Sequence, residues 1–207
     1  NEGQKELLHL LTLFILSHNE HKAFVLRGYA GTGKTSIMAA LVKALGELEQ
    51  PIVLLAPTGR AAKVLARYAN KSAYTIHKYI YRQNKLGMDA FSLSDNLHKH
   101  TLFIVDEASM ISGQRDNPTF GSGILLQDLI KYVYSGGGCS LLLLGDDAQL
   151  PPIGSELSPA LDVDYLTGYG LNIMSYTLTQ VARQALDSGI LTNATAIRQQ
   201  ISTPFSP

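Results

Sequence analysis

The sequence predicts an α/β domain in which a central, mostly parallel sheet is flanked by helices. Short, almost wholly apolar runs recur along it: AFVLR (23–27), IVLLA (52–56), TLFIV (101–105) and LLLL (141–144). Segments with helical spacing of apolar residues separate them. Strands covered on both faces read as continuous apolar runs of this kind, because neither face meets water. Glycines and carboxylates cluster just after several of these runs. That is the end of the strands where open α/β sheets bind their ligands.

A helix-period segment runs from about Gln4 to Ser17; its apolar run is too short to span a bilayer and lacks a basic leader. After the first strand comes a glycine-rich turn. The helix that follows carries Ile37, Met38, Leu41, Val42 and Leu45 on one face and ends near Gly46. Pro51 leads into the second strand, and a second helix is expected from about Gly59 to Tyr68. Residues 80–100 suit a short β-hairpin insertion, with turn signals near Gly87. The polar loop SGQRDNPTFGSG leads into a helix near residues 124–134, and GGG (136–138) breaks the chain before the leucine strand. A last strand is expected around 173–178 and a helix from about Ser188.

Of the 207 residues 45% are hydrophobic, enough for a proper core and too many for a disordered segment. The single cysteine, Cys139, excludes a disulfide framework and agrees with a reducing, cytoplasmic setting. Seventeen Lys and Arg balance seventeen Asp and Glu, which argues against a polycation that coats nucleic acid. The distribution is less even than the total. Arg60, Lys63, Arg67, Lys71, Lys78, Arg82 and Lys85 fall in one stretch with no acid among them.

GYAGTGKTS (28–36) matches G-x-x-x-x-G-K-[ST] in the strand-to-helix setting which that pattern requires. Its glycines let backbone N–H groups curl around phosphate oxygens, and the following helix points its positive end at the anion. Gly28, Ala30, Gly31, Thr32, Gly33, Lys34, Thr35 and Ser36 are the expected nucleotide-binding residues. Lys34 should reach the β- and γ-phosphates and the Thr35 hydroxyl should ligate Mg²⁺, so that ATP and Mg²⁺ are the implied cofactors. The plain alternative is a glycine turn that caps a helix. In VDEAS (105–109), Asp106 is the second metal-side residue and Glu107 the candidate base for the attacking water. Acidic residues also end strands merely because water is there.

Six stretches appear in a telling order: GYAGTGKT, LLAPTGRAAKVLA (54–66), YTIHKYI (74–80), VDEASMI (105–111), LLLLGDDAQLPPIG (141–154) and LTQVARQA (178–185). Together they resemble the motifs of superfamily-one DNA helicases of the 5′-to-3′ branch, the RecD-like and Dda-like group. The resemblance implies a RecA-like P-loop NTPase motor domain over residues 1–187. Residues 188–207 would be a linker helix and a frayed end, leading to a second RecA-like domain of the same parent chain.

The resemblance also implies residue roles. Gln4 would read the adenine edge, though an exposed first-turn residue is an equal reading. Gln149 would link the γ-phosphate to bound DNA, Asp146 would help set up the metal side, and a turn hydrogen bond is the alternative for both. Arg183 would contact the γ-phosphate, against the alternative of a surface ion pair; here Ala182 precedes it where the family carries a bulkier residue. Pro57, Thr58, Gly59, Arg60, Thr75 and His77 would bind the backbone of single-stranded DNA. Tyr74, Tyr79 and Tyr81 offer stacking faces or core packing. The function implied is an ATP-dependent helicase or translocase on single-stranded DNA, with no membrane partner, in DNA repair or recombination. Without an arginine from the second domain, these residues alone should bind nucleotide yet hydrolyse it slowly. The alternative is a nucleotide-gated nucleic-acid-binding module that unwinds nothing. A P-loop kinase would leave GDDAQLPPIG and APTGRAA unexplained.

Overall fold

A computed structural model describes residues 2–29, 31–83, 91–146, 148–149, 152 and 158–179. Six strands form one sheet: β1 (Lys22–Gly28), β2 (Ile52–Ala56), β3 (Ala73–Thr75), β6 (Leu102–Val105), β7 (Ser140–Gly145) and β8 (Asn172–Leu178). Their spatial order is β3-β2-β6-β7-β1-β8, and every neighbouring pair is parallel. Strands β4 (Tyr81–Gln83) and β5 (Phe91–Leu93) form a separate antiparallel pair inside the stretch expected to hold a hairpin. The residues that would join them, 84–90, lie outside the described set.

The sheet is a partition between two cores. Ala23, Val25, Val53, Leu55, Phe103, Val105, Leu141 and Leu143 face helices α4 (Ile76–Ile80), α5 (Leu125–Ser135) and α6 (Val163–Thr167). Their sequence neighbours Phe24, Leu26, Ile52, Leu54, Leu102, Ile104, Leu142 and Leu144 face α1 (Glu2–Leu16), α2 (Lys34–Glu47) and α3 (Gly59–Ala69). Successive strand side chains point to opposite faces, so a strand sandwiched between helix layers must be apolar at every position. That is why four leucines stand in a row, each of them fully buried.

Both early helices are placed by their ends. Thr58 caps α3, its hydroxyl accepting from Ala61 N at 3.2 Å, and Asn70 closes it in the left-handed conformation. The C-terminus of α1 is held by Lys22, whose Nζ donates to Phe14 O, Ile15 O and Ser17 O at 2.8, 2.9 and 2.6 Å. A cation suits the exposed carbonyls there.

Three short elements stand where periodicity is too brief to show in sequence: β3, α4 and α6. The loop 112–124 closes over the antiparallel pair. Phe91 N donates to Thr119 O and Gly121 N to Phe91 O, both at 2.8 Å, and the Phe91 and Phe120 rings stack at 4.7 Å. One buried carboxylate pins the assembly: Asp128 Oδ2 accepts from the Tyr81 hydroxyl at 2.7 Å and from Ser122 N at 2.9 Å.

Candidate active site

The carboxyl ends of β1, β6 and β7 bring the predicted chemistry together. Residues 28–29 and 31–36 lead from β1 into α2, with Gly31 at φ 80° and Gly33 at φ 89°. Both angles lie in the left-handed region that favours glycine. At Gly28 crowding rather than torsion demands glycine, since a Cβ there would lie 2.9 Å from Thr32 Oγ1 and 3.1 Å from Leu178 Cβ. Thr32 is buried and ties the loop down, its hydroxyl donating to Tyr29 O at 2.7 Å. Lys34 Nζ donates to Gly28 O, and to Tyr29 O at 3.1 Å, so the ammonium lies folded over the loop that it is expected to serve. Thr35 and Ser36 are exposed on the first turn of α2. Gln4 reaches the same place from α1, its Nε2 3.3 Å from where a Cβ at Gly33 would stand. Gln4 is half-buried and stands beside the phosphate loop. Ala30 lies outside the described residues.

Two strands away, Asp106 and Glu107 leave β6. Asp106 N donates to Leu55 O at 3.0 Å, and Asp106 Oδ1 accepts from Glu107 N at 3.0 Å. Glu107 sits at φ 54°, a strained conformation for glutamate, and such strain gathers at functional sites. Gln149 is exposed in the turn after β7, close enough for its amide to favour the charged form of the Glu107 carboxyl. Its backbone N–H donates to Asp146 O at 3.1 Å, so the turn aims the amide. Asp146 is fully buried, and its Oδ1 accepts from Ala148 N at 3.0 Å. The turn hydrogen bonds expected as the plain alternative thus exist, and they bring the amide near the candidate base.

Electrostatics bind the cluster further. Burial pushes the Asp106 carboxyl above its ordinary range, against the backbone hydrogen bond from Glu107 and the charge of Lys34. Glu107 is raised by burial first, then by the charges of Asp106 and Asp146, against the pull of Lys34 and Gln149. A folded chain that holds these protons more tightly than the unfolded chain loses stability as pH rises through that window. Carboxyl-carbon titration by NMR in nucleotide-free protein should therefore show Asp106 and Glu107 each titrating above the ordinary value of its residue type. Midpoints at or below those ordinary values would contradict the burial described.

A divalent cation fits this donor set. Thr35 and Asp106 line one small cleft together with Lys34. Among the described residues no group of three or more His, Cys, Asp or Glu forms a metal cage. Mg²⁺ needs none, since it keeps waters and phosphate oxygens and takes only one or two protein carboxylates.

The neighbouring edge of the sheet gathers the other predicted set. Pro57, Thr58, Gly59 and Arg60 leave β2, and Thr75 ends β3 in register with Ala56. A Cβ at Gly59 would meet nothing within 4 Å, so the protein's own packing does not demand glycine there. Thr75 caps α4, accepting from Lys78 N at 3.2 Å. His77 is half-buried, with Tyr81 and Phe120 at 5.8 and 5.1 Å, and burial lowers its pKa. Tyr81 is buried and Tyr79 packs on Phe103 and Tyr132, so both serve the core. Burial of Tyr79 raises its phenol to about 12. Of the three tyrosines only Tyr74 is left exposed as a stacking face. Arg82 turns back on α4, donating to Lys78 O and Tyr81 O at 3.1 and 2.9 Å. Arg60, Lys63, Arg67 and Lys71 remain an exposed basic stripe.

A family model described as an AAA domain matches residues 1–203. The ATP-dependent RecD2 DNA helicase of Deinococcus radiodurans is 30% identical over 83% of this chain, and the ATP-dependent DNA helicase dda of Enterobacteria phage T4 is 29% identical over 95%. The chain belongs to the RecD/Pif1-like helicase branch of this family. A solved Pif1 helicase from Candida albicans shares the fold, with a TM-score of 0.58 at 20% identity over the whole chain. The chain spans 21% of the RecD2 helicase, 42% of the dda helicase and 48% of the Pif1 structure.

For a RecD/Pif1-like domain the strand order is informative: β7 stands between the phosphate-loop strand and the strand that carries Asp106 and Glu107. The turn bearing Gln149 follows β7 and so starts between those two strand ends. Arg183, like Ala182, lies outside the described residues. Among these no helix is long and apolar enough to cross a membrane.

Proposed function

We propose that the chain is the ATP-binding motor domain of an ATP-dependent 5′-to-3′ helicase or translocase that acts on single-stranded DNA. The observation that carries this reading is the convergence of the phosphate loop with Lys34, of Asp106 and Glu107, and of the Asp146 turn at the carboxyl ends of the neighbouring strands β1, β6 and β7. Backbone N–H groups of the loop and Lys34 bind and orient the nucleotide phosphates, and Gln4 stands where a base edge can be read. Thr35 and Asp106 would hold Mg²⁺, which supplies neutralisation of the charge that spreads over the phosphates. The Glu107 carboxylate takes the proton of the attacking water, and its raised basicity suits that task. Gln149 registers whether the terminal phosphoryl group is present, because its amide stands in the turn beside the base.

The strand-binding surface is Pro57 to Arg60 with Thr75 and His77, at the ends of β2 and β3. Hydroxyls, backbone N–H groups and a guanidinium at such an edge suit phosphate contacts, which position a strand without reading its sequence. Strand β2 is hydrogen-bonded to β6, so this surface abuts the carboxylate pair. Movement along DNA requires a cleft that opens and closes against the second RecA-like domain, which also supplies an arginine to the nucleotide.

The test is ATP turnover of the full-length protein with and without a single-stranded oligonucleotide, repeated for Lys34→Ala. Strong stimulation by DNA is expected, and loss of turnover on the order of 100-fold or more in the variant. Turnover indifferent to DNA would instead favour a nucleotide-gated binding module and overturn the motor reading.

A further inference from the structure

Residues 158–161, downstream of GDDAQLPPIG, touch all three elements that carry the proposed catalytic groups. Ser158 Oγ donates to Ser109 O at 3.1 Å, in the turn that follows Glu107. Leu161, 1% exposed, lies against Gly145 at the end of β7, where a Cβ would come within 2.6 Å of Leu161 Cδ1. Gly145 is also close to that turn, the same Cβ falling 3.1 Å from Ser109 N. The third tie comes from β1. Arg27, which immediately precedes the phosphate loop, donates from Nε and Nη2 to Leu161 O at 3.0 and 2.7 Å. Arg27 is itself in register with Gly145 on the adjacent strand.

We propose that Arg27 is a positioning residue for hydrolysis. By clamping the Leu161 carbonyl it holds the phosphate-loop strand, the Glu107 turn and the Gly145–Asp146 strand end at fixed spacing. Lys34, Glu107 and Gln149 then converge on the terminal phosphate without searching for their geometry. The four residues before Arg27 are apolar and buried, so an aliphatic side chain would serve the sheet at this position. A partly buried guanidinium is costly to place unless its donors are used. Its rigid fork sets both distance and angle to one acceptor, which the single-point ammonium of lysine does not. A displacement of about 1 Å at a reacting group can cost on the order of 100-fold in rate.

This inference rests on the hydrolytic reading above. Arg27→Met and Arg27→Lys in the full-length protein are compared with wild type by DNA-stimulated kcat, KM for ATP and melting temperature. In Arg27→Met, kcat per folded molecule is expected to fall about 10- to 100-fold. KM should stay within about twofold, because the phosphate loop itself is intact. Arg27→Lys should be intermediate in kcat. A folded Arg27→Met with wild-type kcat, whatever its melting temperature, would reduce Arg27 to a structural tie and overturn the proposal. A loss confined to KM would do the same. If the Met variant does not fold, the Lys variant decides by the same split. Absence of turnover in wild type would remove the motor reading and this one together; an active wild type with unchanged variants removes the positioning role alone.

Discussion

Glu107→Gln in the full-length protein should bind ATP normally and turn it over on the order of 100- to 10,000-fold more slowly. The exchange keeps the size and one oxygen acceptor of the side chain, so the turn from Glu107 to Met110 should survive. What disappears is a basic oxygen to take the proton from water. The amide of Gln149 would then face another amide, a weaker partner than a carboxylate. Single-turnover hydrolysis beside nucleotide binding separates the two effects. Weak binding with normal chemistry once bound would place Glu107 among the binding groups and transfer the role of base elsewhere. The positive φ at Glu107 adds a check, since Glu107→Gly should keep the backbone and still lose the rate.

The largest expected effect on stability comes from Phe103→Ala, about 3–5 kcal/mol, measured by chemical denaturation. Phe103 is fully buried in the central strand β6 and sits among the rings of Tyr79, His98 and Tyr132 at 6.3, 5.5 and 6.0 Å. The surrounding rings are carried by α4, α5 and the segment before β6, and they are tied to one another. The Tyr79 hydroxyl meets His98 Nε2 at 2.8 Å and Asn96 Nδ2 donates to Tyr132 O at 2.9 Å, so the rings cannot move freely into the space. The void should therefore persist. A loss below about 1 kcal/mol would mean that this aromatic cluster repacks freely, against the close packing of the layer. Tyr79 belongs to α4, which also bears His77, so the variant should loosen the strand-binding edge before it affects the phosphate loop.

Much of the sheet is legible in the sequence because its strands are buried on both sides. Four of the six strands are short apolar runs, and no competing periodicity disguises them. β8 is legible for a weaker reason, as it lies at the sheet's edge with alternating exposure. β3 is invisible: three half-exposed residues, Ala73 to Thr75, form a strand only because β2 offers them an edge. The short helices α4 and α6 escape likewise, since five residues cannot display a helical period. The tyrosines 74, 79 and 81 look alike in sequence. Tyr81 is drawn inward by a buried carboxylate 47 positions away, and Tyr79 by the ring of Phe103.

The candidate site divides in the same manner. The residue types in GYAGTGKTS, VDEAS and GDDAQ are dictated by local chemistry: glycines where backbone must approach an anion, carboxylates where a strand ends beside a cation. Those demands are met within a few consecutive residues, so the sequence by itself determined the fold class, the phosphate loop and the identity of the charged groups. What no local stretch announces is that the Gln149 turn comes beside Glu107, that Gln4 comes to Gly33, and that Arg27 reaches across to Leu161, 134 residues away in the chain. The physical reason is that hydrogen bonds and packing act over a few ångströms in space, while the order in which parallel strands assemble leaves no mark in any single stretch of residues.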